Sequence, residues 1–254
     1  MTRPKTKILV DGGDPQETRR VKEMLGFVDG QTTNPSLIAR NPHIKELIAS
    51  GHKLSNREEM DEYRKIVQTI SPLVGDAGVS IEVFSDERTM AQEMFDQGRE
   101  MFSWIPNAYI KYPCTAEGLR AAQMSVRQGM VGRLDDRGQN GMDVVKNIKQ
   151  MFLKGDGHVL VLAASIRSLE HLLYCFALET ELVTVPAKVL ELWANSNFPM
   201  PDKQFQYKAS GKSIPYEEHD LERPWETFDI QHELTRKGVE KFAADYRATL
   251  SRPA

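Results

Sequence analysis

The sequence predicts an α/β fold in which a parallel sheet is covered by helices, and among such folds a (β/α) barrel. Three observations carry this. Short β-rich apolar runs alternate with segments of helical period. Those runs are apolar almost throughout, as strands buried on both faces are. Polar residues recur at or near their C-terminal ends, namely Asp11, Asn34, Glu82, Lys111 and Ser165. A barrel gathers such ends around one centre.

The first strand is Lys7–Val10, closed by Asp11-Gly12-Gly13. A helix follows with Asp14 as N-cap, Pro15 at its first position and Glu17 three residues after the cap. Val21, Met24 and Leu25 form its apolar face, and Gly26 ends it. Phe27-Val28 opens a second strand leading into Gln31-Thr32-Thr33-Asn34-Pro35. Ser55 and Glu58 make a capping box, with Met60, Tyr63, Ile66, Val67 and Ile70 at helical spacing after it. Val79–Phe84 is the third strand, and Met90, Met94, Phe95, Met101 and Phe102 mark the next helix. Tyr109–Pro113 is the fourth strand, followed by a helix from Thr115 to about Gln128. Met142, Val145, Ile148 and Phe152 give another amphipathic helix. His158–Ala164, Leu169–Ala177 and Leu182–Val185 are a strand, its helix and a sixth strand.

Beyond about Asn195, Pro199, Pro201, Pro215 and Pro224 predict an irregular surface segment. It ends in a helix with Ile230, Leu234, Val239, Phe242, Tyr246 and Leu250 on one stripe. The organisation expected is one barrel domain over residues 1–254. Within it, residues 196–254 form an irregular segment and a terminal helix that packs on the barrel or on a neighbouring subunit.

A chain of 254 residues suits such a domain, and 40% hydrophobic with 27% charged residues is ordinary for a globular protein. A net charge of −3 gives no electrostatic case for nucleic acid or an anionic membrane. No apolar run is long enough to span a bilayer, and the N-terminus lacks a signal-peptide core, so a cytoplasmic protein is expected. Cys114 and Cys175 each lie in an apolar segment and read as buried free thiols. The six histidines never form a close pair, which argues against a metal site. Asp11-Gly12-Gly13-Asp14 lacks the spacing of a dinucleotide fingerprint.

Lys111 is the most informative residue. It stands in the apolar run Ala-Tyr-Ile-Lys-Tyr-Pro. Burial disfavours an ammonium, and the neutral amine is a nucleophile towards carbonyls. Read alone, Lys111 serves equally as an edge lysine with its head in water. Glu82, in Ser-Ile-Glu-Val, reads alone as half of a buried ion pair with Lys111 as a candidate partner. Asp11 reads alone as the start of an Asx turn, and Thr33-Asn34-Pro35 as turn chemistry. Arg133 and Arg167 are candidates for a phosphate clamp, with Ser165 where a strand gives way to a helix N-terminus. Each arginine alone reads as a surface salt bridge. Together, two carboxylates and one lysine at strand ends are the parts that carbonyl chemistry needs.

The motifs resemble the transaldolase family. They are VDGG at Asp11, DGQTTNPSLIARNP around Asn34, VSIEV around Glu82, IKYPCTAEGLRA around Lys111, VGRLDDRGQNGMD around Arg133 and AASIRS at Ser165–Arg167. They come in the family's order and cover most of residues 7–195. The resemblance implies a (β/α)8 TIM barrel of class I aldolase type with no metal and no cofactor. It implies that Lys111 forms a Schiff base and that Asp11 takes the proton from the hydroxyl whose loss cleaves the ketose. Glu82 would act through a bound water, Thr33 and Asn34 would hold substrate, and Arg133, Ser165 and Arg167 would bind its phosphate. The reaction implied is transfer of a dihydroxyacetone unit between sugar phosphates in the pentose phosphate pathway, with a fructose 6-phosphate aldolase-like lyase or an impaired sugar-phosphate-binding protein as alternatives. The family and the terminal helix together point to a homo-oligomer. The resemblance breaks between Met130 and Val131, where about two strands of the barrel are missing.

Overall fold

The structure is a computed structural model and describes residues 3–125, 140–153, 159–202, 204–209, 211–220 and 222–250. Two compact units divide the chain. One holds residues 10–127 and 230–254, the other residues 1–9 and 128–229.

The first strand, β1 (Lys7–Asp11), crosses that division and ends in the first of these units. There it is followed by α1 (Pro15–Leu25), β2 (Gly30–Thr32), α2 (Pro35–Ala39), α3 (Pro42–Ala49) and α4 (Asn56–Ile70). Then come β3 (Gly78–Glu82), α5 (Ala91–Phe102), β4 (Ala108–Lys111) and α6 (Ala116–Met124). The other unit holds α7 (Gly141–Phe152), β5 (Leu162–Ala163), α8 (Leu169–Ala177), β6 (Leu182–Val185) and α9 (Ala187–Asn195). The chain returns to the first unit with α10 (Glu233–Arg247).

The strand order is β4-β3-β2-β1-β6-β5. Pairing is parallel between β2 and β3, β3 and β4, and β5 and β6. Among the described residues the first strand therefore neighbours the last. The two ends of the order are β4 and β5, which are consecutive among the described strands. Between them lies the junction Met130–Val131, which falls outside the described residues.

Capping fixes the helices as the sequence predicts. Asp14 accepts a hydrogen bond from the Gln16 N–H at 2.9 Å, and Gly26, with φ of 77°, closes α1. Glu58 accepts from the Ser55 N–H at 2.8 Å and completes the capping box of α4. Strand bounds differ in two places. Residues 27–29 remain irregular, because the Val28 and Asp29 carbonyls accept from Gly75 and Ala77 in a loop, and β2 begins at Gly30. The regular part of β5 is Leu162–Ala163, and His158 lies outside the described residues. Met90 and Phe102 point outwards, since the buried line of α5 runs through Met94, Gly98 and Met101. Cys114 is exposed, in the turn before the α6 cap Thr115, while Cys175 is buried; both are free thiols.

The core of the first unit is built by Tyr63, Ile66, Val67 and Ile70 of α4, Val79 and Ile81 of β3, and Met94 and Met101 of α5. α10 packs on α2 of its own chain. Ser36 donates to Asp245, Arg247 pairs with Asp86, and the Leu54 N–H reaches the Thr249 carbonyl at 3.0 Å. Among the described residues no helix is long and apolar enough to cross a membrane.

In the other unit, Trp193 of α9 packs against Phe176 of α8 at 5.4 Å and donates to the Pro199 carbonyl at 2.9 Å. The segment after α9 is tied down by Asp143, which accepts from Ser213 at 3.0 Å and from the Ile214 N–H at 2.8 Å.

Glu59 lies on the buried line of α4, only 1% exposed, near the Tyr246 hydroxyl. Neither carboxyl oxygen has an aligned hydrogen-bond partner. Burial pushes the group up to about 8. In the unfolded chain a glutamate titrates near about 4.3. The folded state thus keeps a proton that the unfolded state loses, and stability from this group falls as pH rises between those values. Urea unfolding of wild type should show this loss between about pH 5 and 8, and Glu59→Gln should flatten it. Equal pH slopes for the two proteins would contradict the assignment.

Candidate active site

The pairing of β3 with β4 sets Glu82 directly opposite Lys111. The Lys111 Nζ lies 2.8 Å from Glu82 Oε2, with the two side chains 15% and 4% exposed. That oxygen makes no aligned hydrogen bond, so the contact is an ion pair held by charge. β3 is buried at every position, whereas Tyr109 of β4 is exposed. Lys111 thus has its partner on a buried strand, and its own strand lies at an end of the order.

Asp11 ends β1, next to β2 in the strand order. One of its oxygens accepts from the Thr32 hydroxyl at 2.9 Å. Behind it, Gln31 donates to the Gly12 carbonyl at 2.9 Å and accepts from Thr18 at 2.6 Å. Gly13 allows α2 to come close, since a Cβ there would sit 2.6 Å from the Leu37 carbonyl oxygen.

Asn34 is extended, with φ of −158°, as the following Pro35 favours. Its side-chain oxygen accepts from the Leu37 N–H at 2.8 Å and caps α2. Thr33 is fully buried. Its hydroxyl donates to the Ser80 carbonyl at 2.9 Å and lies 2.8 Å from the Tyr63 hydroxyl. Thr33 therefore belongs to the wall behind the strand ends. Asp11, Thr33, Asn34, Glu82 and Lys111 all stand at the ends of β1 to β4 or just beyond them, within one unit.

Ser165 and Arg167 lie in the other unit, between β5 and α8. Ser165 has φ of 58°, a left-handed backbone that costs a residue with a side chain about 1–2 kcal/mol. Such strain is often kept at functional sites. Arg167 is exposed, and its backbone N–H donates to His171 Nδ1 at 3.3 Å. His171 Nε2 lies 3.0 Å from the Tyr207 hydroxyl. Ser168 caps α8 by accepting from the His171 N–H at 3.2 Å. Arg133 lies outside the described residues.

Sequence reasoning missed Thr32 and Tyr63. The alternation of strand side chains was the available signal for Thr32, because Thr32 and Thr33 must face opposite ways. Nothing in the helical period of α4 distinguishes the Tyr63 hydroxyl from an ordinary core ring. Among the described residues no cluster of three or more His, Cys, Asp or Glu is placed to hold a metal ion.

The chain matches the transaldolase/fructose-6-phosphate aldolase family over residues 8–130 and 130–252. A probable transaldolase of Roseiflexus sp. (strain RS-1) is 27% identical over 269 aligned positions, covering 95% of this chain and 97% of that protein. Probable transaldolases of Lactiplantibacillus plantarum and Herpetosiphon aurantiacus are 29% and 30% identical. They cover 80% and 78% of this chain and 95% and 90% of their own lengths. Since 269 positions cover only 95% of 254 residues here, about 28 positions of the first alignment have no residue in this chain. The family match is in two parts that meet at Met130.

The ion pair makes a stability prediction. Lys111→Met leaves a carboxylate buried without its cation and should cost about 3–5 kcal/mol in urea unfolding. Adding Glu82→Gln should restore part of that loss. A single variant as stable as wild type would mean that Glu82 does not depend on Lys111.

Proposed function

Because this chain belongs to the transaldolase/fructose-6-phosphate aldolase family, we propose that it transfers a dihydroxyacetone unit between sugar phosphates through a Schiff base on Lys111. The observation that carries this reading is the Lys111–Glu82 pair at 2.8 Å, on neighbouring strands whose fellow β1 ends in Asp11.

In this reading Lys111 first gives its extra proton to Glu82, 2.8 Å away, and the neutral amine then attacks the ketone carbon of a ketose phosphate. The carbinolamine loses water to give an iminium, and Glu82 moves protons through a water in that exchange. Asp11 then takes the proton from the hydroxyl on the carbon beyond the scissile bond. That bond's electron pair flows into the iminium, an aldose phosphate leaves, and an enamine remains on Lys111. The enamine attacks the aldehyde of a second aldose phosphate, and hydrolysis frees the new ketose. Thr32 supports the role of Asp11 by donating to its carboxylate. Asn34 is proposed to hold substrate hydroxyls, with the buried Thr33 supporting it from behind. Ser165 and Arg167, ahead of the α8 N-terminus, are proposed for the phosphate together with Arg133.

A second reading, a sugar-phosphate-binding protein with little turnover, is favoured by the shortfall of about 28 positions against the relatives. A transfer assay separates the two. With fructose 6-phosphate as donor and erythrose 4-phosphate as acceptor, the enzyme should make sedoheptulose 7-phosphate and glyceraldehyde 3-phosphate. Lys111→Ala should reduce this to background, and Asp11→Asn should lower kcat by about 10²–10⁴-fold. Release of free dihydroxyacetone in place of transfer would indicate a lyase. Sugar-phosphate binding without either product would favour the second reading.

A further inference from the structure

Against the backbone of Glu82 lies a buried hydroxyl that the steps above do not use. Tyr63 of α4 is 2% exposed, and its ring meets Trp104 edge-on at 5.8 Å. Its hydroxyl accepts from the Glu82 backbone N–H at 3.2 Å and lies 2.8 Å from the Thr33 hydroxyl. Proton counting fixes the direction of this chain. Thr33 uses its single hydroxyl proton on the Ser80 carbonyl, 2.9 Å away, so Tyr63 must donate to Thr33. Every group is then satisfied: Glu82 N–H to Tyr63, Tyr63 to Thr33, Thr33 to Ser80.

The chain has a reason to exist. The Thr33 N–H bonds the Ser80 carbonyl at 2.8 Å, as in a parallel ladder. Continued by one step, that ladder would bond the Glu82 N–H to the Thr33 carbonyl. Asn34 and Pro35 instead turn the chain into α2, and β2 ends at Thr32. The Glu82 N–H loses its strand partner at the residue whose side chain meets Lys111. The Tyr63 hydroxyl stands in for the missing carbonyl. Burial, with the charge of Glu82 adding to it, raises the phenol well above the usual tyrosine range, so it remains a neutral donor.

We propose that Tyr63 is a positioning residue, whose hydroxyl replaces the ladder bond lost at the end of β2 and so holds Glu82 in register with Lys111. This rests on the reading of Lys111 and Glu82 as the reacting pair. Tyr63 touches no substrate, so its loss should act on the chemical steps and spare ground-state binding.

The test compares wild type, Tyr63→Phe and Thr33→Val in the full chain, by steady-state transfer from fructose 6-phosphate and by thermal unfolding. Tyr63→Phe keeps the ring and should lower kcat by about tenfold while KM stays within about twofold, the size of effect that one lost hydrogen bond allows. Thr33→Val breaks the same chain from its other end and should also lower kcat, and the double variant should be no slower than the worse single one. If Tyr63→Phe fails to fold, the kcat against KM split in Thr33→Val decides alone. Unchanged kcat, or a loss carried by KM, in an active wild-type background overturns the positioning role and leaves the Schiff-base reading intact. A wild type with no transfer activity and no borohydride-trapped adduct overturns both.

Discussion

Two opposite charges meet at the ends of β3 and β4, and much of the first unit is arranged around their pairing. Either ion alone would be costly so far from water. Glu82 is almost wholly buried, and Lys111 keeps slight access because its strand lies at an end of the order. Their contact also specifies register. A slip of one residue between β3 and β4 would send one of the two side chains to the opposite face and leave both charges unpaired. Pairing and sheet register are therefore one constraint. On its other flank, β3 is held to the start of α2 through Ser80, Thr33 and Tyr63.

The stretch after Glu82 is held from the C-terminus of the chain. Phe84 packs on Tyr246 at 4.5 Å between ring centres, and Asp86 pairs with Arg247. Asp86 is held below the usual carboxylate range by the Arg88 and Thr89 N–H groups, the Thr89 hydroxyl and the Arg247 charge, against the effect of its partial burial. α10 thus braces the residues that follow Glu82. The same helix covers Glu59, a buried carboxyl without an aligned partner. That is an expensive way to seat a helix, and it makes the seat sensitive to pH.

Much of this was legible in the sequence because the signals are local. Five of the six apolar runs became strands, Asp14 and Ser55 capped their helices, and Asp11, Glu82 and Lys111 fell at strand ends. The Glu82–Lys111 contact was legible as one alternative among several, since sequence shows two ionisable residues in apolar runs and cannot show register. What escaped depends on tertiary contact. The apolar stripe of α4 suggested Met60, but the deeply buried line runs through Glu59, Tyr63, Ile66 and Ile70. A charged residue breaks a hydrophobicity count even when it is buried. Cys114 points outwards because a turn, not a strand, carries it. The left-handed backbone of Ser165 has no marker in residue type, as glycine would be the usual choice there.

The ends of the strand order and the break in sequence coincide. β4 and β5 are consecutive among the described strands, yet they lie at opposite ends of the order, and the family match divides at Met130 between them. The residues proposed for Schiff-base chemistry all precede that point, on β1 to β4. The central claim is that this part of the fold suffices to make Lys111 react with a ketose. Borohydride reduction of the full chain with fructose 6-phosphate, read by intact mass and peptide mapping, tests it directly. The account predicts a stable three-carbon adduct on Lys111, absent from Lys111→Ala. A chain that stays unmodified, or one modified at another lysine, would contradict it.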